Sequence, residues 1–170
     1  MSGLVATVLG VRFADGTTAD VDLFATDVPA DERRVFAAAV YLLDAAGYIA
    51  LVHSVRRAEW GPPGGWREGS ESVTDNAIRE TREECGIDLA PADLVPVGYE
   101  QFRNRSGGGL WRSGQDVMQV YRADLPQLRP PLVAGLDDTS DREWVDVEEF
   151  ERRCGGQFHW ALSALVTRGG

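Results

Sequence analysis

The sequence predicts an α/β fold of the α+β kind, a layered sandwich with strands through its middle and helices set after a glycine loop and at its end. Three observations carry that reading. Apolar stretches of strand character follow one another from Leu4 to Ser54 and again from Leu94 to Asp124. A well-capped helical pattern, 73–85, comes directly after a rigid Gly/Pro loop. Strands and helices do not alternate regularly, which argues against a βαβ repeat. With 170 residues, 44% of them apolar, the chain is long enough to close one hydrophobic core.

The elements follow in order. Leu4 to Phe24 reads as an N-terminal β-hairpin: Val5, Val8, Val11 and Phe13, the turn signal Asp15-Gly16, then Val21 and Leu23. Thr26 to Arg34, with Pro29, is a linker or short turn. Residues 1–34 are thus a hairpin and linker belonging to the same domain as residues 35–170. Val35 to Leu43 and Tyr48 to Ser54 are strongly apolar, and Asp44 to Gly47 suits a tight hairpin between them. Trp60 to Trp66, reading Trp-Gly-Pro-Pro-Gly-Gly-Trp, is a stiff loop outside regular structure. Ser72 caps the next helix with Asp75 at its third position, and Gly86 ends it. Leu94 to Arg103 and Val117 to Asp124 are strands, separated by the Gly- and Ser-rich stretch 104–115. Glu143 to Val145 forms a short strand. Asp146 caps a helix to about Arg153, and Phe158 to Val166 forms a terminal helix.

Composition excludes several classes of function. A net charge of −10 repels the phosphate backbone of nucleic acid. The same charge means that an acidic site holds a small phosphate compound only when divalent cations invert the local field. The two cysteines, Cys85 and Cys154, read as reduced thiols of a cytosolic protein. The N-terminus carries no signal-peptide pattern and no run approaches membrane-spanning length, so the expected location is cytoplasmic, with no membrane partner.

The helix over 73–85 is where the chemistry concentrates. On a helical wheel Thr74, Ala77, Ile78, Thr81 and Cys85 form a buried stripe. Glu80, Glu83 and Glu84 share a face that borders this stripe and looks across the groove between helix and sheet. Three like charges so placed destabilise an isolated helix by about 0.2–0.5 kcal/mol per pair. Mg²⁺ bound by carboxylate oxygens would offset that repulsion. Taken alone, the three glutamates read more readily as a solvated acidic face balanced by Arg79 and Arg82 than as a metal site.

The spacing of the upstream loop decides the matter. Gly65 is followed after five residues by Glu71, and after seven more by Arg79-Glu80-Thr81-Arg82-Glu83-Glu84-Cys85-Gly86-Ile87. This resembles the Nudix box, Gly-x5-Glu-x7-Arg-Glu-U-x-Glu-Glu-x-Gly-U, where U is a bulky aliphatic residue. Every fixed position is filled, although Thr81 stands at the first U. Pro63-Gly64-Gly65 and the run Trp144 to Phe150 are also typical of the family. The resemblance implies an α/β/α sandwich around a mixed central sheet. It also implies a metal-dependent pyrophosphohydrolase that cleaves a nucleoside diphosphate linked to another moiety, X, using Mg²⁺ or Mn²⁺.

By the same resemblance Glu80, Glu83 and Glu84 supply metal oxygens, and the carbonyl of Gly65 or Gly64 adds a ligand. Arg79 pairs with acidic neighbours, Glu71 first among them, and orients the cluster. Glu83 or Glu80 is the general base; outside the box, Asp116 is a further base or metal candidate and Glu100 a weaker one. For the rest of the substrate, Arg103 and Arg105 are candidate phosphate clamps, and Trp60, Trp66 and Trp111 are candidate stacking residues, with Trp111 preferred. Subfamily marks are missing. Neither the downstream proline of ADP-ribose hydrolases nor the tyrosine of diadenosine polyphosphate hydrolases is present, and Arg67 and Ser70 depart from the usual loop. The competing reading is a regulatory domain that binds a nucleotide without turnover. Exposed edge strands invite pairing, which favours a homodimer.

Overall fold

The computed structural model describes residues 3–13, 16–105, 114–133 and 139–155. Trp111, Asp15 and the helix expected over 158–166 lie outside them. Strands β1 (Gly3–Arg12) and β2 (Thr18–Ala25) form the antiparallel N-terminal hairpin. Gly16, at φ 85°, takes a left-handed conformation in its turn and donates its amide to the Phe13 carbonyl. β2 in turn pairs along its length with β7 (Val95–Asn104).

The centre of the sheet is β3 (Val35–Leu43), an unbroken apolar run with all nine residues buried. Such a run belongs to a strand covered on both faces, and β3 accordingly runs parallel to β8 (Val117–Asp124). The sheet order is β1-β2-β7-β8-β3-β4 (Ile49–Ser54)-β5 (Glu59–Gly61), with β6 (Gly64–Trp66) added on β3 and β9 (Thr139–Val145) on β4. The remaining pairings are antiparallel, so the sheet is mixed, as expected.

Three expectations need correction. β4 (Ile49–Ser54) does not continue as a hairpin partner of β3; the two pair only at Leu43 and Ile49. Beyond that point they separate, because β6 (Gly64–Trp66) takes the β3 edge while β4 pairs with β5 (Glu59–Gly61) and β9 (Thr139–Val145). The loop Trp60 to Trp66 therefore contains two short strand segments. Only Pro62 and Pro63 lack amide hydrogens, and the residues on either side remain free to join a ladder. The last strand also begins at Thr139, four residues ahead of its expected start.

Helix α1 (Val73–Cys85) packs on one face. Its residues Val73, Ala77, Thr81 and Cys85 are buried one turn apart, against Ala38, Val40 and Leu42 of β3 and Ala50 and Val52 of β4. The polar substitute Thr81 is accommodated because its hydroxyl donates to the Ala77 carbonyl at 2.8 Å. The Ser72 side chain caps the helix by accepting from the Asp75 amide, and Gly86 closes it at φ 69°. On the other face α2 (Val147–Arg153) sets Phe150 against Tyr41, Ile49 and Leu51. A third cluster, Val21, Leu23, Phe36, Ala37 and Phe102, seals the hairpin to the sheet. The layers are helix, sheet, helix.

Candidate active site

Where β3 and β4 part, α1 crosses the gap, and this brings β6 against the acidic face of the helix. β6 is held by three register pairs with β3, Ala37 with Trp66, Ala38 with Gly65 and Ala39 with Gly64. Gly64 and Gly65 are both required by proximity. A Cβ on Gly64 would stand 2.4 Å from the Ala38 carbonyl oxygen, and one on Gly65 would stand 2.5 Å from Oε1 of Glu80. The backbone of the loop thus lies directly against a carboxylate of the helix.

Arg79 organises the cluster. Its Nη1 lies 2.9 Å from Oε1 of Glu80 and 2.9 Å from Oε2 of Glu83. Its Nε and Nη2 take both oxygens of Glu71 at 3.1 and 2.9 Å, and Nη2 also donates to the Trp66 carbonyl at 3.0 Å. The expected Arg79–Glu71 pair is present, and the same guanidinium spans two of the box glutamates. The hydrogen bond to Glu71 pushes the arginine pKa up against the opposing effect of burial, with the charges of Glu80 and Glu71 adding to it. Burial pushes the Glu71 carboxyl up, but hydrogen bonds from Arg79 and the Glu68 amide, with the charges of Arg79 and Arg67, leave it below the usual range. Glu80 goes the other way. Its desolvation, helped by the charges of Glu83 and Glu71, outweighs the pull of Arg79 and raises its pKa.

Glu84 is nearly buried, at 4% exposure. Its Oε2 accepts from the Gly64 amide at 2.7 Å and its Oε1 from the Thr139 hydroxyl at 3.3 Å. Glu83 has the most open side chain of the three helix glutamates, 41% exposed against 13% for Glu80.

The donor chemistry suits a hard divalent cation, since the cluster offers carboxylate and backbone oxygens beside a glycine. Among the described residues no group of three or more acidic, histidine or cysteine side chains already converges to chelate an ion. The guanidinium of Arg79 draws Glu71, Glu80 and Glu83 together instead.

The candidates outside the box are placed elsewhere. Asp116 receives both Nε and Nη2 of Arg34, at 2.9 and 2.7 Å, and the Gln101 amide at 3.0 Å; no described contact joins it to the helix glutamates. Glu100 is wholly buried on β7. Arg103 pairs with Asp22 at 2.9 Å and Arg105 with Asp20 at 2.8 Å, both aspartates of the hairpin. Trp60 lies under the Arg153 guanidinium and beside His53. Trp66 packs on Phe36 in the core.

Sequence reasoning missed Thr139 and Asn76. Buried Asn76 donates its side-chain amide to the Trp66 carbonyl at 3.1 Å, so two residues of α1 pin the end of β6. Arg67, noted only as a departure, ties the loop to the start of β3 by donating to the carbonyls of Glu32 and Val35 at 3.0 and 3.1 Å.

A family model, the NUDIX domain, matches residues 33–166. An uncharacterized Nudix hydrolase of Bacillus subtilis is 45% identical over 49 residues, 29% of this chain and 31% of that protein. Isopentenyl-diphosphate Delta-isomerase of Cutibacterium acnes is 24% identical over 149 residues, 80% of this chain and 74% of that protein. Among solved structures, the E. coli dihydroneopterin triphosphate pyrophosphohydrolase superposes with a TM-score of 0.61 at 17% identity, over 80% of this chain and all of that one. The matched stretch thus spans about a third of the Bacillus protein and about three quarters of the isomerase. The structural likeness bears on the fold.

Proposed function

This chain belongs to the Nudix family, and from that premise we propose that it is a metal-dependent hydrolase of a nucleoside diphosphate linked to a second moiety, X, releasing a nucleoside monophosphate and phosphorylated X. The observation that carries the reading is the abutment of Gly65 on Glu80, with Arg79 and Glu84 fixed around it. It sets a backbone segment and three acidic side chains along one groove. Glu80, Glu83, Glu84 and the Gly65 carbonyl would hold Mg²⁺, with Mn²⁺ as a substitute. When bound, the ion supplies charge neutralisation for the diphosphate and acidifies a water.

The chain's own groups do the rest. Water adds across one P–O bond of the anhydride, the bridging oxygen leaves with the other phosphoryl group, and a carboxylate takes the water's proton. Glu83 is assigned that proton, because its side chain is the more open to solvent, 41% exposed against 13% for Glu80. Arg79 holds Glu71, Glu80 and Glu83 in place. The protein is further assigned to the cytoplasm, and Leu4, Val5 and Leu9, exposed on β1 at the sheet edge, support a homodimer.

The test is a panel of nucleoside diphosphate derivatives with Mg²⁺ or Mn²⁺, read by phosphate release through a coupled phosphatase. Turnover is expected on part of the panel, and Glu84→Gln is expected to cut the rate by about 10²-fold or more while circular dichroism stays unchanged. No turnover on any member would favour a nucleotide-binding regulatory domain. The long alignment with an isopentenyl-diphosphate isomerase gives a second reading its one support. Including isopentenyl diphosphate, with proton NMR of the product alkene, separates isomerisation from hydrolysis.

A further inference from the structure

We propose that Thr139 is a positioning residue of the metal site, acting through Glu84; the inference rests on the hydrolase reading given above. Glu84 leaves α1 at the gap between β3 and β4, and its carboxylate is gripped from two different strands. The Gly64 amide of β6 binds Oε2, and the Thr139 hydroxyl at the start of β9 binds Oε1. Thr139 is itself fixed. It pairs with Ser54 of β4, and its carbonyl accepts from the Arg142 guanidinium at 3.1 Å.

The terminal torsion of a glutamate is broad and roughly two-fold, so a carboxylate held through one oxygen can still turn about its Cγ–Cδ bond. Two donors on two oxygens fix that torsion. A carboxylate oxygen carries two lone pairs, so a single hydrogen bond to it orients the group without by itself excluding a cation. A threonine suits the task because its β-branch limits χ1 on a strand and aims the hydroxyl. Thr139 and Glu84 are 55 residues apart in sequence, and the pairing of β9 with β4 brings them together.

The hydroxyl is separable from the packing. Thr139→Val keeps the shape and the β-branch and removes the hydroxyl; Thr139→Ser restores it. Outer groups that orient metal ligands typically contribute about 10- to 100-fold in affinity, and the 3.3 Å bond places Thr139 at the lower end. Mn²⁺ binding to the substrate-free protein, followed by electron paramagnetic resonance, should weaken about 10-fold in Thr139→Val and recover in Thr139→Ser. In steady-state assays Thr139→Val should need more Mg²⁺ for half-activation while recovering most of its kcat at saturating Mg²⁺. Thermal melts of all three proteins guard against a folding defect, with Thr139→Ala as the alternative if the valine variant does not fold. Equal Mn²⁺ affinity in wild type and Thr139→Val overturns the role of Thr139 and leaves the hydrolase reading intact. Failure of the wild type to bind Mn²⁺ overturns the metal reading itself, and this inference with it.

Discussion

Glu100 sits on β7 with no exposure to solvent, paired in register with Leu23 and Met118. Burial first, and then the charge of Glu59, push its carboxyl well above the ordinary value. A carboxyl with a higher pKa folded than unfolded holds its proton more tightly in the folded state. Its contribution to stability is therefore complete below the unfolded value, about 4.3, and is lost as pH rises toward the folded one. Glu100→Gln removes that dependence. The variant should match wild type near pH 4 and become the more stable protein as pH rises, the gap widening by at most about 1.4 kcal/mol per pH unit. Urea unfolding at pH 4, 6 and 8 measures it; a constant gap would mean that Glu100 titrates normally in the fold. The sequence marks Glu100 only as a weaker base candidate. Period-two alternation along 95–104 places a residue on one face or the other, but whether that face is dry depends on the hairpin packed beyond it.

At the scale of elements, the decisive contact is the approach of β6 to α1. The Cβ of Gly65→Ala would fall 2.5 Å from a Glu80 oxygen and 2.6 Å from its carboxyl carbon, closer than any contact allows. The flexible side chain is what gives way, so Glu80 moves while the sheet stays. Activity should fall by about 10²-fold, as misplacements near 1 Å do, with a melting temperature close to wild type. A large drop in melting temperature would show instead that β6 itself had been expelled. This part of the molecule was legible in unequal measure. The cap at Ser72, the stop at Gly86 and the spacing from Gly65 to Glu84 are local chemistry and could be read from the residues. That Gly64–Trp66 forms a strand could not, since its partner is β3, 27 residues earlier by the pairing of Ala38 with Gly65. Nor could the partners of Arg103 and Arg105, because Asp22 and Asp20 meet them only through the β2–β7 register.

Across the whole molecule the hairpin and the central sheet share a hydrophobic cluster. Ala19, Val21 and Leu23 of β2 are fully buried, and Val21 and Leu23 pack in one cluster with Phe36, Ala37 and Phe102. The linker adds two ties: the Ala30 amide donates to buried Gln119 at 2.8 Å, and Arg34 holds Asp116. β1, by contrast, is largely exposed and lies at the edge. Two truncations should therefore behave differently. Removing residues 1–12 leaves β2 as a new edge and should give a folded protein with a lower melting temperature. Removing residues 1–34 strips Phe102 of its cover and takes the Ala30 amide from Gln119 and the Arg34 guanidinium from Asp116. Val21, Leu23 and Phe102 alone represent about 1.5–3 kcal/mol of burial each, a sum comparable with the roughly 5–15 kcal/mol by which a domain of this size is stable. The longer truncation should lose its cooperative thermal transition and aggregate on expression. If it instead melts cooperatively as a soluble protein, residues 1–34 are a separable addition, and the unit that folds begins at β3.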